Sequence, residues 1–326
     1  MPRYHRLAGP RVSRTVLGTL FIVIAGPVLA IGGFLLVTMA AAIAGRPDGP
    51  DGVPSFGERA DLALAFLMVA ALLPVTLVAA RAIQRRPAGT LASVTGRLRW
   101  RWLLTCLAVA AVAIVLLLGG GTALAAATGV DAGFDRAELV GWGPFLASMA
   151  VLVLVVPPQA AAEEFVTRGW LLQAVGSWCR RPWLPIGIQA VIFAALHGWG
   201  TPWGFTDLLL FGVVTGWLTV RTGGLEAAIA LHVANNLLGS VAAAAFGELG
   251  TDETAADMPW QFLVVDVLVL SAYAWVVVRL ARRAGVAFES RIDPLDRVDF
   301  PTRPNIDAQL APMPPLAGER IDLPSR

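Results

Sequence analysis

The chain has 326 residues, is 56% hydrophobic and only 15% charged, and carries a formal net charge of +2. Ordinary globular chains are about 45–50% apolar and about 25% charged, so this composition excludes an ordinary soluble enzyme and points to a membrane protein. The small net charge excludes a nucleic-acid-binding surface.

The N-terminal stretch, residues 1–14, carries Arg3, Arg6, Arg11 and Arg14 with no acid. Apolar segments then recur near residues 16–44, 62–78, 102–127, 142–156 with an extension to 178, 183–197, 205–220, 225–246 and 262–278. A span needs about 20 apolar residues. The expected fold is therefore all-α: a polytopic helical membrane protein with about eight transmembrane helices around a polar intramembrane cavity. The first segment is too long, and wrongly flanked, for a cleaved signal peptide. An unbroken helix from Trp142 to Arg180 would run about 57 Å, so a break or kink is expected at Pro157-Pro158, with Glu163 early in the second half. Cys106 and Cys179 share no metal-ligand spacing.

Every basic side chain except the three His is Arg, since the chain has no Lys. Arg81, Arg85, Arg86, Arg97, Arg99 and Arg101 fill one loop without an acid, and Arg180/Arg181, Arg221 and Arg282/Arg283 mark later ones. The intervening loops are mixed or acidic: Asp48, Asp51, Glu58 and Asp61, then Asp131 and Asp135, then Glu248, Asp252, Glu253 and Asp257. By the positive-inside rule this alternation predicts a multi-pass cell-membrane protein with both termini in the cytoplasm. Residues 284–326 are rich in Pro and mixed in charge, and read as a disordered cytoplasmic tail.

Ionisable groups within apolar segments are costly and usually face a cavity or a partner; singly each reads as readily as packing, and it is their joint occurrence that packing does not explain. They are Glu163, Glu164 and Arg168 after the two prolines, His197 ending a short apolar run, His232 with Asn236, and Asp266. Residues four apart share a helix face, so Glu164 pairs with Arg168 while Glu163 points about 100° away, free to act as a base. His232 and Asn236 share a face likewise. At a rise of about 1.5 Å per residue, Glu163, His197 and His232 lie about 16–25 Å from the nearest Arg-marked loop, so the three can meet inside the membrane body. Asp266 has no partner at helical spacing and reads as an interhelix hydrogen bond or a protonated acid. His5 reads as a plain N-terminal side chain.

Three short patterns occur in order. Glu163-Glu164-Phe165-Val166-Thr167-Arg168 fits EExxxR, Phe193–His197 fits FxxxH, and His232–Asn236 fits HxxxN. Together they resemble the signature of the CPBP intramembrane proteases, which include the type II CAAX prenyl endopeptidases and bacteriocin-processing or immunity proteins. The resemblance covers residues 140–245. It divides the chain into the basic N-terminus 1–14, N-terminal helices 15–139, a protease-like membrane domain 140–283 and the tail.

The resemblance implies hydrolysis of a peptide bond near the C-terminal end of a membrane-associated protein or peptide, lipidated or not. It implies Glu163 as the base that activates water and His197 as a group that positions it. His232 and Asn236 would stabilise the oxyanion, with Glu164 and Arg168 orienting the site. Two routes stay open: a metalloendopeptidase with zinc on Glu163, His197 and His232, or a glutamate-type enzyme without a metal. The expected partners are the substrate and the lipid bilayer, with no nucleic acid. The Arg-only usage suggests a bacterial source. HExxH and GxSG are absent, and a lone Asp266 argues against an aspartyl type. A non-catalytic scaffold or immunity-type protein of the same fold is the alternative, and a small-solute transporter is a third reading.

Overall fold

A computed structural model describes residues 3–9, 12–49, 52–130, 139–247, 249 and 255–290. Among these residues the chain is helical, without a named strand. Eight membrane-scale helices follow in order: α1 (Val12–Ile43), α2 (Glu58–Ile83), α3 (Trp100–Ala127), α4 (Trp142–Gly176), α5 (Trp183–Leu196), α6 (Pro202–Thr222), α7 (Glu226–Phe246) and α8 (Trp260–Arg283). Seven are long and apolar enough to cross a bilayer. α5 is the exception, with 14 residues.

The predicted span over residues 183–197 is therefore a shorter helix. Its apolar run is cut by Gly198-Trp199-Gly200, where both glycines have positive φ (93° and 38°). At Gly200 a side chain would sit 2.1 Å from the Ala256 carbonyl oxygen, so the turn needs glycine. At Pro157-Pro158, where a break or kink is expected, α4 does not break: it stays helical through both prolines and packs against α2 and α7. Adjacent prolines remove two neighbouring donors, and the packing holds the helix across that gap. The change of geometry comes later, as a π-helical turn over Phe165–Leu171.

α7 is the central helix. Every residue from Thr222 to Ala234 is buried. One side of it joins a core of α3, α5, α6 and α8, the other a core of α1, α2 and α4. α5 and α6 approach through small residues: a Cβ on Gly212 would lie 2.8 Å from the Ala190 Cα. Small residues at such contacts replace a hydrophobic driving force that lipid does not supply. α1 exposes Leu17, Val23, Ile24, Ile31 and Leu36. A helix apolar on its outward face belongs in hydrocarbon.

Residues 3–9 and 284–290 lie on one side of this body: the backbones of Arg3 and Glu289 form an isolated antiparallel β-bridge, and the Ser290 hydroxyl donates to the Val94 carbonyl at 3.0 Å. Residues 284–290, the first part of the predicted tail, thus pack against the protein; the remainder of the tail lies outside the described residues. Tyr4 is buried and its hydroxyl donates to the Leu91 carbonyl. His5, read from sequence as a plain side chain, is also buried, set against the backbone of Cys179 and Arg180. The loop between α2 and α3 is held by buried Arg86, whose guanidinium donates to Gln84, Thr90 and Gln173 at 2.6–2.7 Å. Arg99 grips both Glu226 oxygens at 2.8 and 2.6 Å and donates to the Thr222 and Ala287 carbonyls. Of the loop charges used for orientation, Asp51, Asp131, Asp135, Glu248, Asp252 and Glu253 lie outside the described residues.

Candidate active site

Glu163 and Glu164 are the last α-helical residues of α4 before its π-turn, so consecutive carboxylates leave the helix toward different neighbours. Glu164 is fully buried. Its Oε1 accepts from Arg168 Nη1 at 2.9 Å and from His232 Nδ1 at 2.8 Å. Arg168 is buried too, with its guanidinium 4.1 Å from the centre of the Phe193 ring. A buried ion pair repays its desolvation only with tight geometry and extra hydrogen bonds. Here the extra bonds run to His232 and to the Thr167 hydroxyl, 3.0 Å from Arg168 Nη1. The expected Glu164–Arg168 pair thus becomes a triad that fixes the His232 ring.

Glu163 turns the other way, as its position on the helix predicts. Its Oε1 accepts from Gln159 Nε2 at 2.7 Å. Its Oε2 is buried without a hydrogen bond and faces His232 Nε2 at 3.5 Å and His197 Nε2 at 3.9 Å. His197 caps α5, and its Nδ1 lies 2.8 Å from the Phe193 carbonyl oxygen. Carbonyl and carboxylate oxygens only accept. Both imidazoles therefore carry a proton on Nδ1 and, when neutral, direct an Nε2 lone pair toward Glu163. A group held among Glu163 Oε2, His197 Nε2 and His232 Nε2 has to bring protons or positive charge.

Asn236 joins at one remove: its Nδ2 donates to Gln159 Oε1 at 3.1 Å. Gln159 thereby links Asn236 to Glu163. Sequence reasoning passed over it, although its signal was a polar side chain four residues before Glu163 in an apolar helix. Phe193 also has a structural role beyond its motif, packing against Arg168, His197 and His232.

Asp266, which has no partner at helical spacing, shares a small cavity with a second carboxyl from another helix: Asp207 of α6, which packs against α8. This neighbour was not visible because it lies on another helix, 59 positions away. A cavity of about 50 Å³ is lined by His197, His232, Asn236, Asp207 and Asp266.

Glu163, His197 and His232 are donor types of an open zinc set. Glu163 Oε2, His197 Nε2 and His232 Nε2 are the atoms that would hold such an ion, which would polarise a carbonyl and acidify its water; no step below is routed through one.

These features define a multi-pass helical membrane protein with a buried carboxylate–imidazole centre. Residues 142–238 match the family model described as type II CAAX prenyl endopeptidase Rce1-like, and all seven motif residues fall inside that stretch. The protease family indicated by the three motifs is thus borne out over this part of the chain. Over 183 residues the chain is 28% identical to the uncharacterized protein YyaK of Bacillus subtilis (strain 168), which covers 54% of this chain and 59% of that relative. The chain therefore spans less than two thirds of the relative's length. No solved structure matches.

Proposed function

We propose that the chain is an intramembrane endopeptidase that hydrolyses a peptide bond near the C-terminus of a membrane-associated protein or peptide. The observation that carries this reading is the convergence of His197 Nε2 and His232 Nε2 on the unbonded Glu163 Oε2, at 3.9 and 3.5 Å. Water placed among these three acceptors donates to two of them and presents a lone pair to a carbonyl carbon. Glu163 takes one proton as the C–O bond forms and gives it to the amide nitrogen as the C–N bond breaks. His197, fixed through its Nδ1, positions that water. His232 with a second proton on Nε2, and the Asn236 amide, donate to the oxyanion. Glu164 and Arg168 act through His232 and are positioning residues.

The distribution of Arg supports a topology with both termini in the cytoplasm, and the backbone pairing of Arg3 with Glu289 agrees with residues 3–9 and 284–290 lying on one side. Comparing a Glu163→Ala strain with wild type by N- and C-terminal peptide mapping tests the activity. Products that vanish with Glu163 are expected. A product pattern independent of Glu163 would leave the non-catalytic scaffold or immunity-type reading. Activity that falls with a chelator and returns with Zn²⁺ would replace the metal-free route by a metalloendopeptidase on the same three side chains.

A further inference from the structure

Asp207 and Asp266 are 7% and 3% exposed and come from two different helices, α6 and α8. Two carboxyls buried on one small cavity resist ionising together, so one proton between them is the favoured state. Each side chain also has an Oδ1 that is buried without a hydrogen bond. A buried polar atom in that state calls for a partner. The space beside them is the cavity they share with His197 and His232, about 50 Å³ in volume. A cavity needs about 10–15 Å³ of this kind of volume to hold one water, so it suits a few waters and is too small for a substrate side chain.

We propose that Asp207 and Asp266 form a proton-relay pair that works through water with the Glu163–His197–His232 centre. This rests on the hydrolytic reading above. Attacking water carries two protons, and Glu163 handles one of them, from water to the amide nitrogen. The second leaves the newly formed carboxylic acid. The pair starts with one shared proton and one open carboxylate, takes the second proton through the cavity waters, and holds two. It then returns that proton to the departing amine, so the products are a carboxylate and an ammonium and the pair regains its single proton. No external acid or base is needed. The pair does not touch the reacting bond, so its effect falls on turnover and not on substrate binding.

Two arms test this on the full-length protein in detergent. In infrared spectra, wild type is expected to show a protonated-carboxyl band that shifts in D₂O and is lost in both Asp207→Asn and Asp266→Asn. Absence of that band, or its survival in both variants, overturns the shared proton whatever the activity. In the second arm the same variants cleave quenched-fluorescent peptides with prenylated and unprenylated C-termini. The expected result is kcat about 100-fold lower with KM unchanged and partial recovery in Asp266→Glu. Unchanged kcat, or a rise in KM alone, overturns the relay. Loss of all turnover in Asp266→Asn with turnover retained in Glu163→Gln overturns both readings in favour of aspartyl chemistry. Failure of wild type to cut any peptide in a Glu163-dependent way removes the hydrolytic reading and the relay with it, while the infrared arm still decides the carboxyl pair.

Discussion

Among the described residues two Glu–Arg pairs hold a fully buried glutamate, and they are finished differently. On the side where residues 3–9 and 284–290 lie, Glu226 has both oxygens occupied by Arg99, and the Arg99 backbone N–H adds a third bond at 2.9 Å. Arg99 donates from its remaining nitrogen, Nη1, to two carbonyls. In the membrane body Glu164 and Arg168 also pair, yet Glu164 Oε2, Arg168 Nε and Arg168 Nη2 stay buried without hydrogen bonds, as does Glu163 Oε2 next door. Saturation is what a structural clamp needs. Open acceptors beside two imidazoles are what a reacting water needs, and they cost stability that the rest of the fold has to supply. The two pairs are alike in sequence chemistry; the bonds left unmade separate a clamp from a reaction centre.

The largest test of this contrast is Glu163→Gln, which keeps shape and the Gln159 contact but removes the base. Peptide cleavage is expected to fall about 10³-fold, with the thermal midpoint in detergent essentially unchanged. Glu226→Ala should do the reverse. It strands Arg99 and is expected to cost about 3–5 kcal/mol in unfolding measurements, while protein that remains folded keeps its KM. Asn236→Ala removes one donor for the oxyanion, and kcat should fall about 100-fold at near-constant stability.

The smallest effect is expected from Tyr4→Phe, about 1 kcal/mol for the lost bond to Leu91. Burial holds the Tyr4 hydroxyl above the usual tyrosine range, so its neutral form is favoured in the folded state. The unfolded chain then loses this proton first as pH rises. The contribution is present below the ordinary tyrosine pKa and is lost as pH climbs toward the folded one. Thermal midpoints measured upward from about pH 10 should therefore drop less steeply in Tyr4→Phe than in wild type. An equal slope would remove Tyr4 from the clamp's alkaline sensitivity.

Much of the reaction centre was legible because helical spacing is local. Glu164–Arg168 and the divergence of Glu163 follow from positions four and one residues apart. The meeting of Glu163 with His197 and His232 followed from apolar flanks and depth. What escaped the sequence was tertiary. Asp207 and Asp266 share a cavity only because α6 and α8 pack together. His5 is buried only because residues 172–180 fold over it, with its backbone against Gly176. The prolines misled because helix packing outweighed their local cost, and the change in helix geometry fell where no proline marks it.

The shortness of α5 bears on the lipid around the protein. Fourteen residues rise about 21 Å, well under the hydrocarbon thickness of about 30 Å. Trp199 and Trp203 stand exposed just past its end, where indoles favour the headgroup level. A helix shorter than the hydrocarbon is accommodated by thinning of the bilayer or by flanking side chains that reach its interface, and His197 caps the end of α5 at which either would act.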